Sequence, residues 1–191
     1  MPYARGVGDR RCNPIVFLDI SLEGENLEPI GRLTVELRAD VVPRTAENFR
    51  VLCTGERGCY DGVRLHLKDS RLHRVVRNSH CQGGDLKNGD GTWSRQAYGD
   101  AIFFDDENYT LRHVGPGVLS MCNQGPDTNG SAFFLTFAAN PRFDNKHVVF
   151  GCLADESSLR VLYAIDRLGT DHGRPRAVPC ITNCGQLYPV R

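Results

Sequence analysis

Most of the chain consists of short stretches typical of β-strands, separated by turns rich in glycine. Residues 14–22 are dominated by β-branched and aromatic side chains, and residues 31–37 alternate apolar with polar side chains, as a strand with one buried face does. Further strands are predicted at residues 72–76, 117–122, 132–137 and 147–153. Many short strands joined by glycine-rich turns are typical of an all-β barrel.

Only two segments have a helical pattern. The first begins at Pro43, which favours an initial helical turn, and is expected to end near Gly55. The second is predicted over residues 156–168, with Gly169 at its C-terminal stop. Their apolar faces would be formed by Ala46, Phe49 and Leu52 in the first helix and by Leu159, Leu162, Ile165 and Leu168 in the second.

Length and charge indicate one domain without a strong electrostatic field. The 191 residues fit a single domain, predicted at 13–188 between tails at 1–12 and 189–191. Because 23 basic residues balance 23 acidic ones, we expect no nucleic-acid or membrane partner. The chain opens without the apolar run of a secretory signal, and no stretch reaches the roughly 18 apolar residues of a membrane span. We therefore expect an intracellular protein of the cytoplasm or nucleus.

Eight cysteines could form disulfides in a small secreted domain, but this chain is neither small nor apparently secreted. We expect most of them to be buried thiols. Cys180 and Cys184 have no second pair to complete a zinc site. His66, His73 and His80 are seven residues apart, and strand alternation would send them to different faces. No metal and no organic cofactor is predicted.

Three segments carry the residues of greatest functional interest: residues 72–76 (LHRVV), 81–85 (CQGGD) and 121–134 (MCNQGPDTNGSAFF). Together they resemble the active-site strands of the cyclophilins, the cyclosporin-type peptidyl-prolyl cis-trans isomerases. The resemblance extends to residues 42–50 (VPRTAENFR), 146–151 (KHVVFG) and 183–187 (NCGQL), and so runs from about residue 13 to residue 187. It implies a closed eight-stranded antiparallel β-barrel, capped by an α-helix at each end, in a monomeric protein that binds proline-containing peptides or proteins.

Prolyl isomerisation must overcome amide resonance, a barrier of about 18–20 kcal/mol, and requires no nucleophile. It requires an apolar pocket for the ring, donors for the flanking peptide and a cation near the prolyl nitrogen. The resemblance assigns the cation to Arg74, whose guanidinium is always charged. The substrate-binding residues that it implies are Gln82, Asn123, Phe134, His147, Phe143 and Cys122. Among them, the resemblance assigns the floor of the proline pocket to Phe134.

Five of these residues also have an ordinary structural interpretation. Arg74 could be a surface arginine of a strand, and Gln82 and Asn123 could satisfy buried backbone groups. Phe134 and His147 could simply belong to the core. The motif context favours the functional interpretation in every case.

The chain departs from the family pattern around the proline pocket. Ser79 and His80 stand where the family has phenylalanine and methionine, which removes apolar area worth about 1.5–3 kcal/mol for each large side chain. Ala132 replaces a glutamine, and Arg142 replaces the tryptophan that typically hydrogen-bonds cyclosporin. The other differences are Cys122 for a small residue, Phe143 for a leucine and Trp93 for a glycine near a secondary pocket.

These differences predict a slow or substrate-restricted isomerase with weak cyclosporin binding. A catalytically weak or inactive proline-peptide binding module, within a larger assembly, is the alternative. Trp93 could narrow the secondary pocket or could lie on an exposed loop.

A second resemblance concerns redox chemistry. Residues 62–66 (GVRLH) resemble the insertion of divergent-loop cyclophilins, some of which pair two cysteines that correspond here to Cys53 and Cys184. Arg95 stands where those proteins have the glutamate that anchors the loop. Two ordinary reduced thiols are therefore the favoured interpretation.

Overall fold

The computed structural model describes residues 13–24 and 27–189, so the predicted tail at 1–12, part of the turn after the first strand, and residues 190–191 lie outside it. The strands are β1 (Ile15–Leu22), β2 (Pro29–Leu37), β3 (Cys59–Tyr60), β4 (Val63–Arg64), β5 (Arg74–Val76), β6 (His80–Gly83), β7 (Val118–Met121), β8 (Phe133–Thr136), β9 (Val149–Leu153) and β10 (Pro179–Tyr188). The helices are α1 (Pro43–Thr54) and α2 (Glu156–Arg167), with a 3₁₀ turn at Pro141–Phe143.

Eight of the strands form one antiparallel sheet in the order β10-β1-β2-β9-β7-β8-β6-β5, and β3 and β4 form a separate hairpin. The mostly-β prediction is confirmed, as are both helices. The sequence did not predict the β3–β4 hairpin. Within the described residues, neither helix has the length and apolar character needed to cross a bilayer.

The prediction of a closed barrel is wrong, because β5 and β10 remain the two edges of the sheet. An isolated bridge between Arg71 and Cys180, together with a few backbone hydrogen bonds, joins the segment before β5 to β10. The reason lies in residues 69–70. Asp69 has a left-handed φ of 69°, and the Ser70 hydroxyl donates to the Leu67 carbonyl, so the chain reaches β5 through a turn rather than as a strand.

The core follows from strand alternation and from the inner faces of the helices. Phe49 of α1 is 1 % exposed and its ring lies 5.3 Å from that of Phe133 and 4.9 Å from that of Phe150. In α2, Leu162 and Ile165 are fully buried, as predicted. Burying these side chains against the sheet is the main stabilising contribution of both helices.

The helix ends have identifiable causes. Gly55 ends α1 in a left-handed conformation, with φ 66°, and donates its N–H to the Val51 carbonyl. The Asp155 carboxylate begins α2 by accepting from the Ser158 N–H at 2.7 Å. Gly169 follows α2, but it does not form a left-handed cap. Its lack of a side chain allows close packing, since a Cβ there would lie 3.0 Å from the Val75 carbonyl oxygen.

Candidate active site

Three of the predicted site residues form one row across neighbouring strands. Arg74 of β5 lies directly opposite Gln82 of β6, and Gln82 lies directly opposite Phe134 of β8. Directly opposed side chains in an antiparallel sheet share a face, with Cβ atoms about 4.5–5.5 Å apart. The adjacent row points into the core and consists of Val75, Cys81 and Leu135, all at most 1 % exposed. The sheet therefore presents Arg74, Gln82 and Phe134 together on its outer face.

The Arg74 side chain is held against Gly173 in the segment that follows α2. Gly173 has φ 89°, and a Cβ there would lie 2.9 Å from Cγ and 3.0 Å from Cζ of Arg74. Only glycine satisfies both the backbone conformation and the close approach. In the described part of the chain, no hydrogen bond or ion pair engages the Arg74 guanidinium, so its donors face an open cavity of about 400 Å³.

Phe134, the predicted floor of the proline pocket, is covered by another aromatic ring. Phe143 stacks on Phe134, with ring centroids 4.7 Å apart and planes 22° from parallel. His80 meets both phenyl rings edge-on at 5.0 and 5.1 Å, and His147 meets both edge-on at 5.0 Å. Phe134 is only 8 % exposed as a result. The larger side chain at the family's leucine position therefore occupies space above the floor of the pocket.

His113, which the sequence analysis did not identify, supports Phe143 from behind. Its ring lies 5.5 Å from that of Phe143, and its Nδ1 lies 2.8 Å from Oδ1 of Asp144, the residue that follows the 3₁₀ turn. Burial lowers the pKa of His113, and the His113 N–H groups lower the pKa of Asp144, so a neutral imidazole faces a carboxylate. No local pattern could have revealed this contact, since 31 residues separate the two.

His80 and Ser79 replace apolar side chains of the family pocket with a hydrogen-bonded pair. The Ser79 hydroxyl lies 2.9 Å from His80 Nδ1 and accepts from the Asn140 amide at 3.2 Å. Burial lowers the pKa of His80 to about 4, with a smaller contribution from the nearby positive charge of Arg74. His80 is consequently neutral at physiological pH. The predicted loss of an apolar wall is partly offset, because a neutral imidazole contacts both phenyl rings.

Asn123 and His147 line a second cavity of about 360 Å³, which His147 connects to the aromatic rings. Asn123 donates one amide hydrogen to the Lys146 carbonyl at 2.9 Å, which orients its side chain. Burial lowers the pKa of His147, so this imidazole is neutral too. Cys122 is half-buried beside Asn123, and burial raises the pKa of its thiol to about 11. Cys122 therefore contributes as a small uncharged side chain.

Trp93 lies away from the Arg74 cavity. It is partly buried and lines a cavity of about 270 Å³ with Tyr60 and Arg95. The Arg95 guanidinium carbon lies 3.4 Å from the centroid of the Tyr60 ring, a cation–π contact that ties the β3–β4 hairpin to residue 95. Arg95, at the position where divergent-loop cyclophilins have a glutamate, thus contacts the β3–β4 hairpin through a cation–π interaction.

The proposed redox partners, Cys53 and Cys184, are both buried free thiols in this structure. Burial raises the pKa of both, that of Cys184 to about 12, so neither is a reactive thiolate near neutral pH. Their pairing under oxidation stays a prediction. His66 Nε2 lies 3.0 Å from the Cys53 carbonyl oxygen, and residues 13–24 and 27–189 contain no cluster of three potential ligands suited to a metal ion.

The low pKa of His80 predicts a stability loss in acid. A histidine has a pKa near 6.5 in the unfolded chain, whereas that of His80 in the fold is about 4. Between these two pH values the unfolded state binds one more proton than the folded state does. The folded state therefore loses stability as the pH falls from 6.5 to 4. We expect His80→Met to remove up to about 2 kcal/mol of the decrease in unfolding free energy between pH 7 and pH 5. Urea unfolding at both pH values measures it, with His172→Met at an exposed histidine as the control. Equal losses in wild type and His80→Met would contradict the assignment.

The comparison with known families agrees with this geometry. The family described as cyclophilin-type peptidyl-prolyl cis-trans isomerase/CLD matches residues 17–186. That range includes both helices, the eight-stranded sheet from Phe17 to Gln186 and all the candidate site residues. The chain belongs to the cyclophilin family of peptidyl-prolyl cis-trans isomerases.

Proposed function

We propose that this protein catalyses cis-trans isomerisation of Xaa-Pro bonds in proteins, slowly or on a restricted set of substrates. The observation that carries the proposal is the row of Arg74, Gln82 and Phe134 on one face of the sheet. It sets a cation, a peptide-binding amide and an apolar ring side by side. These are the groups that lowering a resonance barrier without a nucleophile requires.

In this mechanism Arg74 donates an N–H to the prolyl nitrogen. That hydrogen bond localises the nitrogen lone pair, reduces the double-bond character of the amide and lowers the barrier of about 18–20 kcal/mol. The Gln82 and Asn123 side chains bind the substrate backbone on either side of the bond that rotates. Because Gly173 has no Cβ, the Arg74 side chain can lie close against its backbone.

The restriction on activity comes from Phe143. A prolyl ring can lie on Phe134 only where Phe143 gives way, and displacing a stacked aromatic pair costs about 0.5–1.5 kcal/mol beyond the buried area. Substrates must supply that free energy through contacts elsewhere. Short peptides with few flanking contacts are therefore expected to react slowly.

The same contact favours a second candidate function, a proline-peptide binding module without turnover in a larger assembly. If peptide binds along Gln82 and Asn123 while Phe143 stays on Phe134, the prolyl ring is not gripped and its bond does not rotate. For either function we propose a monomer inside the cell, in the cytoplasm or nucleus, acting on proline-containing proteins. The free thiols of the described cysteines are compatible with such a reducing compartment.

We expect Arg74→Ala to slow isomerisation of an Ala-Pro peptide by about 10- to 150-fold. A hydrogen bond to a charged group is worth about 1.5–3 kcal/mol, which corresponds to this range. Exchange NMR with catalytic amounts of protein measures the rate, and Arg77→Ala, at an exposed arginine of the next turn, serves as the control. A rate that is the same for Arg74→Ala and wild type would show that Arg74 is not the catalyst.

Phe143→Leu separates the two candidate functions. Relieving the stack should raise kcat/KM for the same peptide by about two- to tenfold, from the free energy of an aromatic pair. If wild type is inactive and Phe143→Leu isomerises the peptide, the native chain is a binding module on an isomerase fold. Unchanged activity would remove Phe143 as the cause of slow turnover.

Cyclosporin should bind weakly. Arg142 is exposed in the 3₁₀ turn, where the family's tryptophan would supply a hydrogen bond and apolar area, and Phe143 covers the floor beside it. Calorimetric titration measures the dissociation constant. A value below about 1 μM would contradict this prediction.

A further inference from the structure

We infer that the cavity beside Arg74 is a subsite for an anionic side chain of the substrate, a carboxylate or a phosphate close to the proline in sequence. The inference rests on the proposed function, because Arg74 and Gln82 line this cavity and are the residues proposed to bind the peptide at the prolyl bond. It names the chemistry that would distinguish preferred substrates from others.

Positive charge dominates the walls of the cavity. Arg74 comes from β5 and Arg174 from the segment after α2, whereas Asp90 is the only carboxylate among the described residues that line it. The Asp90 carboxylate already accepts from the backbone N–H and the hydroxyl of Thr92, at 3.0 and 2.6 Å. Across residues 13–24 and 27–189, neither guanidinium forms a hydrogen bond or an ion pair. Two arginine forks are thus available to one ligand.

The half-buried imidazole of His73 forms part of the cavity wall. Both of its ring nitrogens are covered by protein and have no hydrogen-bond partner within the described chain. The ring lies against Gly91, where φ is 94° and a Cβ would fall 2.6 Å from Nε2. Burial lowers the pKa of His73, so the ring is neutral. His73 therefore shapes the wall, and the two arginines supply its donors.

The volume and chemistry suit an anion with several acceptor oxygens. About 400 Å³ accommodates a glutamate or phosphoserine side chain reaching in from a bound peptide. Arginine forks match the paired oxygens of carboxylate and phosphate, and a phosphate presents three acceptors with nearly two negative charges. The Gln82 amide, which has no side-chain partner among the described residues, can donate to the same group.

The cavity of about 380 Å³ near residues 64–71 is lined by charges of both signs. Its cations are Arg64, Lys68, Arg71 and Lys87, and its carboxylates are Glu23, Asp69 and Asp85. The Arg71 guanidinium is ion-paired with Glu23. It is therefore engaged within the protein, whereas those of Arg74 and Arg174 have no such partner in the described part of the chain.

The test compares peptides that differ in one residue beside the proline. Alanine, glutamate or phosphoserine is placed immediately before the proline in one series and immediately after it in a second series, and kcat/KM is measured by exchange NMR. In one of the two series, we expect kcat/KM for the glutamate peptide to be about two- to fivefold higher than for the alanine peptide, which corresponds to the free energy of an exposed ion pair. We expect kcat/KM for the phosphoserine peptide to be higher still. The ratio of kcat/KM for the glutamate peptide to that for the alanine peptide should fall at high salt, and so should the corresponding ratio for phosphoserine.

The matched variants are Arg174→Gln and Arg176→Gln. Arg176 is also exposed and lies two residues away, but it does not line the cavity. We expect the anionic-to-neutral ratio to approach one in Arg174→Gln and to keep its wild-type value in Arg176→Gln. A ratio that survives Arg174→Gln would overturn the assignment to Arg174.

The outcomes distinguish this inference from the proposed function. Turnover of all peptides with a ratio near one in both series would overturn the subsite and leave the isomerase intact. If no peptide is turned over but anionic peptides shift the amide resonances of Gly91 and Gly173 more than neutral ones do, the subsite stands and the isomerase fails. Absence of both turnover and charge-dependent shifts would overturn both.

Discussion

The antiparallel pairing of β5, β6 and β8 decides which side chains can reach a substrate. Because side chains alternate along a strand, the register that points Val75, Cys81 and Leu135 inward necessarily turns the neighbouring row outward. A slip of one residue would bury Arg74 and expose the core row. The free energy of burying the inner row therefore also maintains the geometry of the site.

The aromatic rings above Phe134 connect pocket shape to the fold beyond the sheet. Phe143 is held by stacking on one face, by histidine edges around it and by the contact of His113 with Asp144. Each contact is modest alone, but together they define one preferred position for the ring. The position of Phe143 above Phe134 is thus set by residues on the 3₁₀ turn and the loop before β7, rather than by the strands that carry Arg74 and Gln82.

The two histidines in the apolar part of the site are uncharged. Burial and the adjacent Arg74 keep His80 neutral, and burial does the same for His147. Arg74 and Arg174 supply the positive charge of the cavity beside Gln82. This arrangement places an apolar surface and a cationic one on opposite sides of Gln82.

The sequence by itself determined the family, both helices, most strands and the candidate residues, because strand periodicity and motif spacing are local properties. It also identified Phe143 and His80 as departures from the family pattern. Only the tertiary structure decided that Phe143 stacks on Phe134, that His113 supports it and that the sheet stays open between β5 and β10. Arg74 likewise lies beside Gly173 and Arg174, which are about 100 residues away in the sequence. Contacts between such distant segments depend on tertiary packing, which no local sequence pattern encodes.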